Sequence, residues 1–218
     1  VSKISIPFLA ESWKKNDLET IDDMYVRSSI SQYAVGLLIF IGLLVNIENI
    51  FRLLPDVYST GAAVIILISL GNLVSGSAGV NGVVLSTSSL YRYQTWLMFI
   101  LIALFVGCSM IFIPMLGITG AALAAMISNI IYSMLGVVLT GKRFGLWPYR
   151  IVHLKITLVG IVAVTAGWLM PQIPLIADIL VRSAIVTLIF TAGMWFWKLS
   201  EDLNNVADSI LSRFRKKP

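Results

Sequence analysis

The segment LGNLVSGSAGVNGVVLSTSSLYR, residues 70–92, sets two carboxamides, a run of hydroxyls and one guanidinium into an otherwise apolar stretch. Asn72, Ser75 and Asn81 can donate and accept hydrogen bonds, and Arg92 can attract an anion. None of them transfers a proton near neutral pH or makes a metal site. Gly71, Ser75, Gly79, Gly82 and Ser86 fall along one face of a helix. Polar groups of this kind are costly against hydrocarbon, so they face protein or water. Two readings stay open. The segment is an interhelical hydrogen-bond seam, or it lines a cavity and its glycines let it bend. Asn129, with Ser128 and Ser133 on a later apolar stretch, would complete such a wall.

Acid–base and metal chemistry find no residues to carry them. Cys108 is the only cysteine and His153 the only histidine, and no ligand set accompanies either. No ionisable residue falls at the middle of an apolar run, so an intramembrane acid pair or proton relay has no members. The sequence suggests neither an enzyme nor a cofactor protein. Glu48 with Arg52, and Asp178 with Arg182, stand four apart at expected helix ends and read as simple i,i+4 pairs.

The elements that position these groups follow from composition. Of the 218 residues, 58% are hydrophobic and 12% charged, with a mean hydropathy of +0.90. A soluble domain has about twice that charge. The expected fold is all-α, a polytopic membrane helix bundle. Apolar runs near the ~20 residues needed to span a bilayer lie at about 29–47, 62–85, 95–113, 118–140, 151–170 and 178–197. Residues 6–28 read as an amphipathic helix, with Asn16 and Glu19 spaced as a capping box and Leu18, Ile21, Met24 and Tyr25 on one face.

Basic residues cluster on one side of this arrangement: Lys3, Lys14, Lys15 and Arg27 before the first span, then Arg92, Lys142, Arg143 and Arg150, then the tail. The positive-inside rule puts both ends of the chain in the cytoplasm. The net charge of +5 is therefore a topology signal and not a nucleic-acid footprint. Aromatics at Tyr91, Tyr93, Trp96, Trp147, Tyr149, Trp195 and Trp197 would sit at the same interface. The expected organisation is an amphipathic cytoplasmic segment (1–28), a lobe of four spans (29–150), an extra helix pair (151–197) and a basic cytoplasmic tail (198–218). The chain opens at Val1 on an amphipathic segment, which reads as a fragment of a longer protein.

The stretch IFIPMLGITGAALAAMISNIIYSMLGVVL, residues 111–139, is unusual in another way. Lipid tails are as apolar as leucine, so helices in a membrane associate through small residues that let backbones approach. Gly117 with Ala121, and Gly120 with Ala124, are each four apart and make a smooth stripe. Pro114 is expected to end one span, and the residues after it to turn into the next. The stripe reads as helix packing, or as the place where a moving bundle seals.

Three stretches together resemble the C-terminal half of a bacterial oligosaccharide flippase of the polysaccharide biosynthesis membrane protein family, in the superfamily that includes the MATE drug exporters. They are ISIPFLAESWKKNDLETIDDMYVRSS, YSTGAAVIILISLGNLVSGSAGVNGVVLSTSSLYRYQ, and the proline–glycine–alanine stretch just quoted. The resemblance covers about residues 4–150; the last two spans fit by position, as the extra pair of fourteen-helix members. It implies one lobe of a MATE-like fold, with a missing N-terminal lobe of the same protein as its partner. The implied substrate is an undecaprenyl-pyrophosphate-linked oligosaccharide, flipped across the bacterial inner membrane by alternating access for O-antigen, capsule or exopolysaccharide. Asn72, Ser75, Asn81, Arg92 and Asn129 become the cavity candidates, and membrane lipids the surroundings. A multidrug exporter on the same fold and a non-transporting subunit of an export complex remain as alternatives.

Overall fold

The computed structural model of the chain describes residues 2–55, 58, 61–171, 173–197 and 199, with no strand among them. Helix α1 (Ser2–Lys15) stops where Asn16 takes a left-handed backbone, φ 55°. The Asp17 N–H reaches back to the Ser12 carbonyl at 3.0 Å and the Asn16 N–H to the Trp13 carbonyl at 3.2 Å, which closes the helix end. Asp17 then opens α2 (Leu18–Val45): its carboxylate accepts the Thr20 N–H at 3.1 Å and the Thr20 hydroxyl at 2.7 Å. The capping box expected at Asn16 does not form, and residues 6–28 are not one helix. Asn16 terminates α1 because its short polar side chain tolerates positive φ, and the cap passes to Asp17. Ile21 and Tyr25 of the expected apolar face are fully buried. Helix α2 runs on without a break at residue 28, and its 28 residues make a rod of about 42 Å, longer than the ~30 Å hydrocarbon core.

Six further helices complete the bundle after the short α3 (Ile47–Leu53): α4 (Ala62–Ser77), α5 (Asn81–Thr87), α6 (Tyr91–Leu116), α7 (Ile118–Phe144), α8 (Ile151–Trp168) and α9 (Leu175–Phe196). Among the described residues five helices are long and apolar enough to cross a membrane, and a sixth span results if α4 and α5, bent by 48° at their break, are counted as one. The chain is an all-α, multi-pass helix bundle, with the second expected span discontinuous. Of the expected tail, only Leu199 lies within the described residues.

Pro114 does not end its span. Helix α6 continues to Leu116, with the exposed Pro114 in its last turn, where the missing N–H costs one bond at most. The turn is made at Gly117, whose φ of +58° caps α6 and starts α7 within a single residue. Gly120 then lies so close to the Phe112 carbonyl that a side chain there would collide with the α6 backbone.

The expected small-residue stripe splits. Gly117 is exposed and serves the turn, and Ala121 is half-buried. Gly120, Ala124 and Ser128, at four-residue intervals, are buried. An Ala124→Leu variant is expected to lose about 1–3 kcal/mol of stability by overpacking, and Ala121→Leu clearly less. Thermal unfolding in detergent compares them; equal losses would mean that the stripe packs as one surface.

The main core joins Leu37, Ile41 and Val45 of α2 to Ile156, Val159 and Ala163 of α8 and Val186, Phe190 and Met194 of α9, with Leu73 of α4. A second cluster packs Leu9 of α1 against Ile21, Tyr25, Val80, Val84 and Leu146. Burial against lipid gives no transfer gain, so these contacts hold the bundle by close packing and dispersion.

Candidate functional site

The break between α4 and α5 is where the sequence concentrates its polar groups, and it is built by its neighbours as much as by itself. Gly79 has φ +56°, and a Cβ there would lie 2.7 Å from both the Ser28 hydroxyl oxygen and the Ser29 nitrogen of α2. Backbone groups freed by a break inside a membrane need new partners. Ser28 and Ser29 supply them. The Val80 N–H donates to the Ser28 hydroxyl at 3.1 Å, and the Ser29 hydroxyl donates to the Ser77 carbonyl.

A third helix is tied in through His153. Its Nε2 lies 2.9 Å from the Ser29 Oγ, and its Nδ1 lies 3.2 Å from the Arg150 nitrogen at the start of α8. The Ser29 proton is committed to Ser77, so the Nε2–H donates to Ser29. Nδ1 is then an acceptor: it takes the Arg150 N–H at 3.2 Å and cannot donate to the Arg150 carbonyl, which lies equally far away. The sole histidine is thus a hydrogen-bond bridge between α2 and α8. Beside it the Tyr33 and Thr157 hydroxyls meet at 2.8 Å, and the Tyr149 phenol reaches the Ser77 hydroxyl at 3.3 Å. Burial pushes the Tyr149 phenol above its ordinary pKa, which keeps it a donor.

The candidates from the sequence divide sharply. Asn81 is buried: its amide donates to the Tyr25 hydroxyl at 2.6 Å and to the Thr140 hydroxyl at 2.9 Å, and Thr140 donates in turn to the Gly136 carbonyl. It is part of a seam among α2, α5 and α7. Ser75 is half-buried and accepts from Ser133 of α7 at 2.9 Å. Asn72 is exposed and Asn129 half-buried, and neither has a hydrogen-bond partner among the described residues. Arg92 stands in the first turn of α6, exposed, with its guanidinium 5.8 Å from the Tyr91 ring centre. The break gathers Ser75 and Asn81 into its packing and leaves Asn72 facing outward.

A second polar cluster lies at the far end of the bundle. Arg182 donates to both oxygens of Asp178, at 3.1 and 3.0 Å, and to the Gly167 carbonyl of α8 at 2.7 Å. The Asn49 amide of α3 also donates to Asp178. The expected i,i+4 pair forms, and because Asp178 and Arg182 are both buried it is also an interior tie among α3, α8 and α9. Asn46 extends it by donating to Ser183 of α9 at 3.1 Å. Glu48 and Arg52 form no ion pair among the described residues.

Spacing alone did not reveal Ser28, Ser29, Tyr25, Thr140 or His153 as members of the site. A weak signal was present: the dipeptide Ser28–Ser29 and the lone His153 sit where apolar residues would serve a span better. No group of three or more histidine, cysteine, aspartate or glutamate residues suited to a metal occurs among the described residues. Comparison with protein-family models, curated proteins and solved structures returns no match for this chain.

Proposed function

We propose that the chain is the C-terminal lobe, with an added helix pair, of a transporter that flips a polyprenyl-pyrophosphate-linked oligosaccharide across the bacterial inner membrane by alternating access. The observation that carries the reading is Asn72, an exposed carboxamide with no partner among the described residues, in the middle of an apolar segment that breaks about two turns further on. Facing hydrocarbon, an unpaired amide costs several kcal/mol. A second lobe and a wet cavity between the two would relieve that cost. Broken helices lining a cavity at the interface of two repeats are the usual architecture of such transporters, and the sequence resemblance to oligosaccharide flippases points the same way.

In this reading the end bearing α1, Arg92, Arg150 and the start of α8 is cytoplasmic. Arg92 draws the anionic headgroup to the mouth, and Asn72 and Asn129 meet the substrate deeper in. The multidrug alternative finds no unengaged carboxylate at depth in these spans for cation coupling: residues 57–177 contain no aspartate or glutamate, and Asp178 is engaged by Arg182 and Asn49.

A pair of substitutions tests the proposal in the full-length protein, reconstituted with a lipid-linked oligosaccharide. Asn72→Leu is expected to keep the unfolding temperature and to lose flux at least tenfold. Asn81→Leu is expected to lower stability by about 1–3 kcal/mol, since it strips partners from Tyr25 and Thr140. Full flux with Asn72→Leu would place that face against lipid or protein and remove the cavity.

A further inference from the structure

Between α6 and α7, at the end where α7 finishes, runs an open apolar groove of about 340 Å³. Its floor and walls are Trp96, Leu97, Ile100, Leu135, Val138 and Leu139, and its rim carries Tyr93, Lys142 and Arg143. Trp96 is 68% exposed, although it is the largest side chain in the groove. Lys142 and Arg143 are exposed, and neither has an ion-pair partner among the described residues.

The charge imbalance is wider than the pair. No aspartate or glutamate occurs from residue 57 to residue 177, so neither α6, α7 nor the segments joining them to α5 and α8 can neutralise these cations. Among the acids of α1 and α2, Glu11 pairs with Lys15, Asp22 with Arg150 at 2.8 Å and Asp23 with Arg27. An apolar slot that ends in two cations with no ion-pair partner and in interfacial aromatics matches one kind of molecule in its surroundings. Basic pockets between spanning helices take anionic lipid headgroups, and aromatic rings belong at the headgroup level.

We propose that the α6–α7 groove binds one anionic phospholipid of the bilayer, with an acyl chain lying along Ile100, Leu135 and Val138 and its phosphate between Lys142 and Arg143. The site depends only on α6 and α7 spanning the membrane, and stands whether or not the chain belongs to a flippase. It is lined by α6 and α7 alone and stands apart from the break between α4 and α5, so the lipid is a resident of that hairpin and not the cargo.

Native mass spectrometry of the protein released from detergent reads the site directly. With phosphatidylglycerol and phosphatidylcholine of matched chains supplied together, wild type is expected to retain one phosphatidylglycerol with a preference on the order of 25-fold, about fivefold for each cation. Lys142→Gln with Arg143→Gln should bring that preference close to one. Val138→Trp keeps both cations and fills the slot, and should release the lipid; it serves as the test if the charge variant does not insert. Retention without headgroup preference, or an unchanged preference in the charge variant, overturns the proposal. Inorganic phosphate competing as well as the lipid would make this a phosphate site, and preferential retention of polyprenyl phosphate would make it a substrate site. Either result also rejects the bilayer phospholipid.

Discussion

Replacing Gly79 by alanine is expected to cost about 2–5 kcal/mol and to abolish the tight approach of α2 to the break between α4 and α5. Two separate terms add. An alanine held at φ +56° loses about 1–2 kcal/mol against sterics of its own backbone. Its methyl group would also sit 2.7 Å from the Ser28 oxygen and the Ser29 nitrogen, and forcing them apart costs about 1–3 kcal/mol. Gly145 separates the terms: it has φ +74°, but nothing lies within 4 Å of where its Cβ would be. Gly145→Ala should therefore lose only the first contribution. Chemical unfolding in micelles compares the two. Equal losses would mean that α2 gives way freely at Ser28, and the break would then not be held by that contact.

Arg182→Met is the second variant expected to have a large effect, about 3–5 kcal/mol. Breaking a buried pair from one side leaves an uncompensated charge, here the Asp178 carboxylate, and also strips a donor from the Gly167 carbonyl. The double variant Asp178→Leu with Arg182→Leu should recover most of the loss, because apolar replacements of buried pairs are often close to neutral. Removing Arg52, which is exposed and unpaired with Glu48, should change stability by less than about 0.5 kcal/mol. The measurement is the unfolding midpoint of all three. A double variant as unstable as the single one would show that Asn49 and Gly167, and not the charge, carry the tie.

The five long apolar helices were legible because each is a run of apolar residues of bilayer length, a signal that does not depend on neighbours. The break was legible in part: glycines at 71, 76, 79 and 82 among serines announce that a helix bends, but not which glycine takes positive φ. The role of Asn81 was not legible, since its partners Tyr25 and Thr140 lie 56 and 59 residues away. The sequence equally leaves open whether an asparagine meets a cavity or a tyrosine. The pairing of Asp178 with Arg182 was legible from its spacing, but its burial was not. Four-residue spacing at a helix end is the pattern of a solvated pair, and only the arrival of α3 and α8 turns it inward. The cap at Asp17 shows the same limit on a smaller scale, where two adjacent residues compete and the left-handed conformation of Asn16 decides.

Two contacts of the break, Ser29 with His153 and Tyr33 with Thr157, each join residues 124 positions apart. A ribosome adds about 5–20 residues per second, so α2 waits roughly 6–25 s in the bilayer before α8 is made. Through that interval its serines and tyrosine have no native partner in α8. The hairpin of α6 and α7, closed by a single residue at Gly117, can form as soon as its own chain is delivered. Biogenesis thus imposes an order on these contacts: α2 enters the bilayer well before its partners in α8, and Ser29 and Tyr33 must be sheltered in the meantime, by the insertion machinery among other means, until α8 arrives.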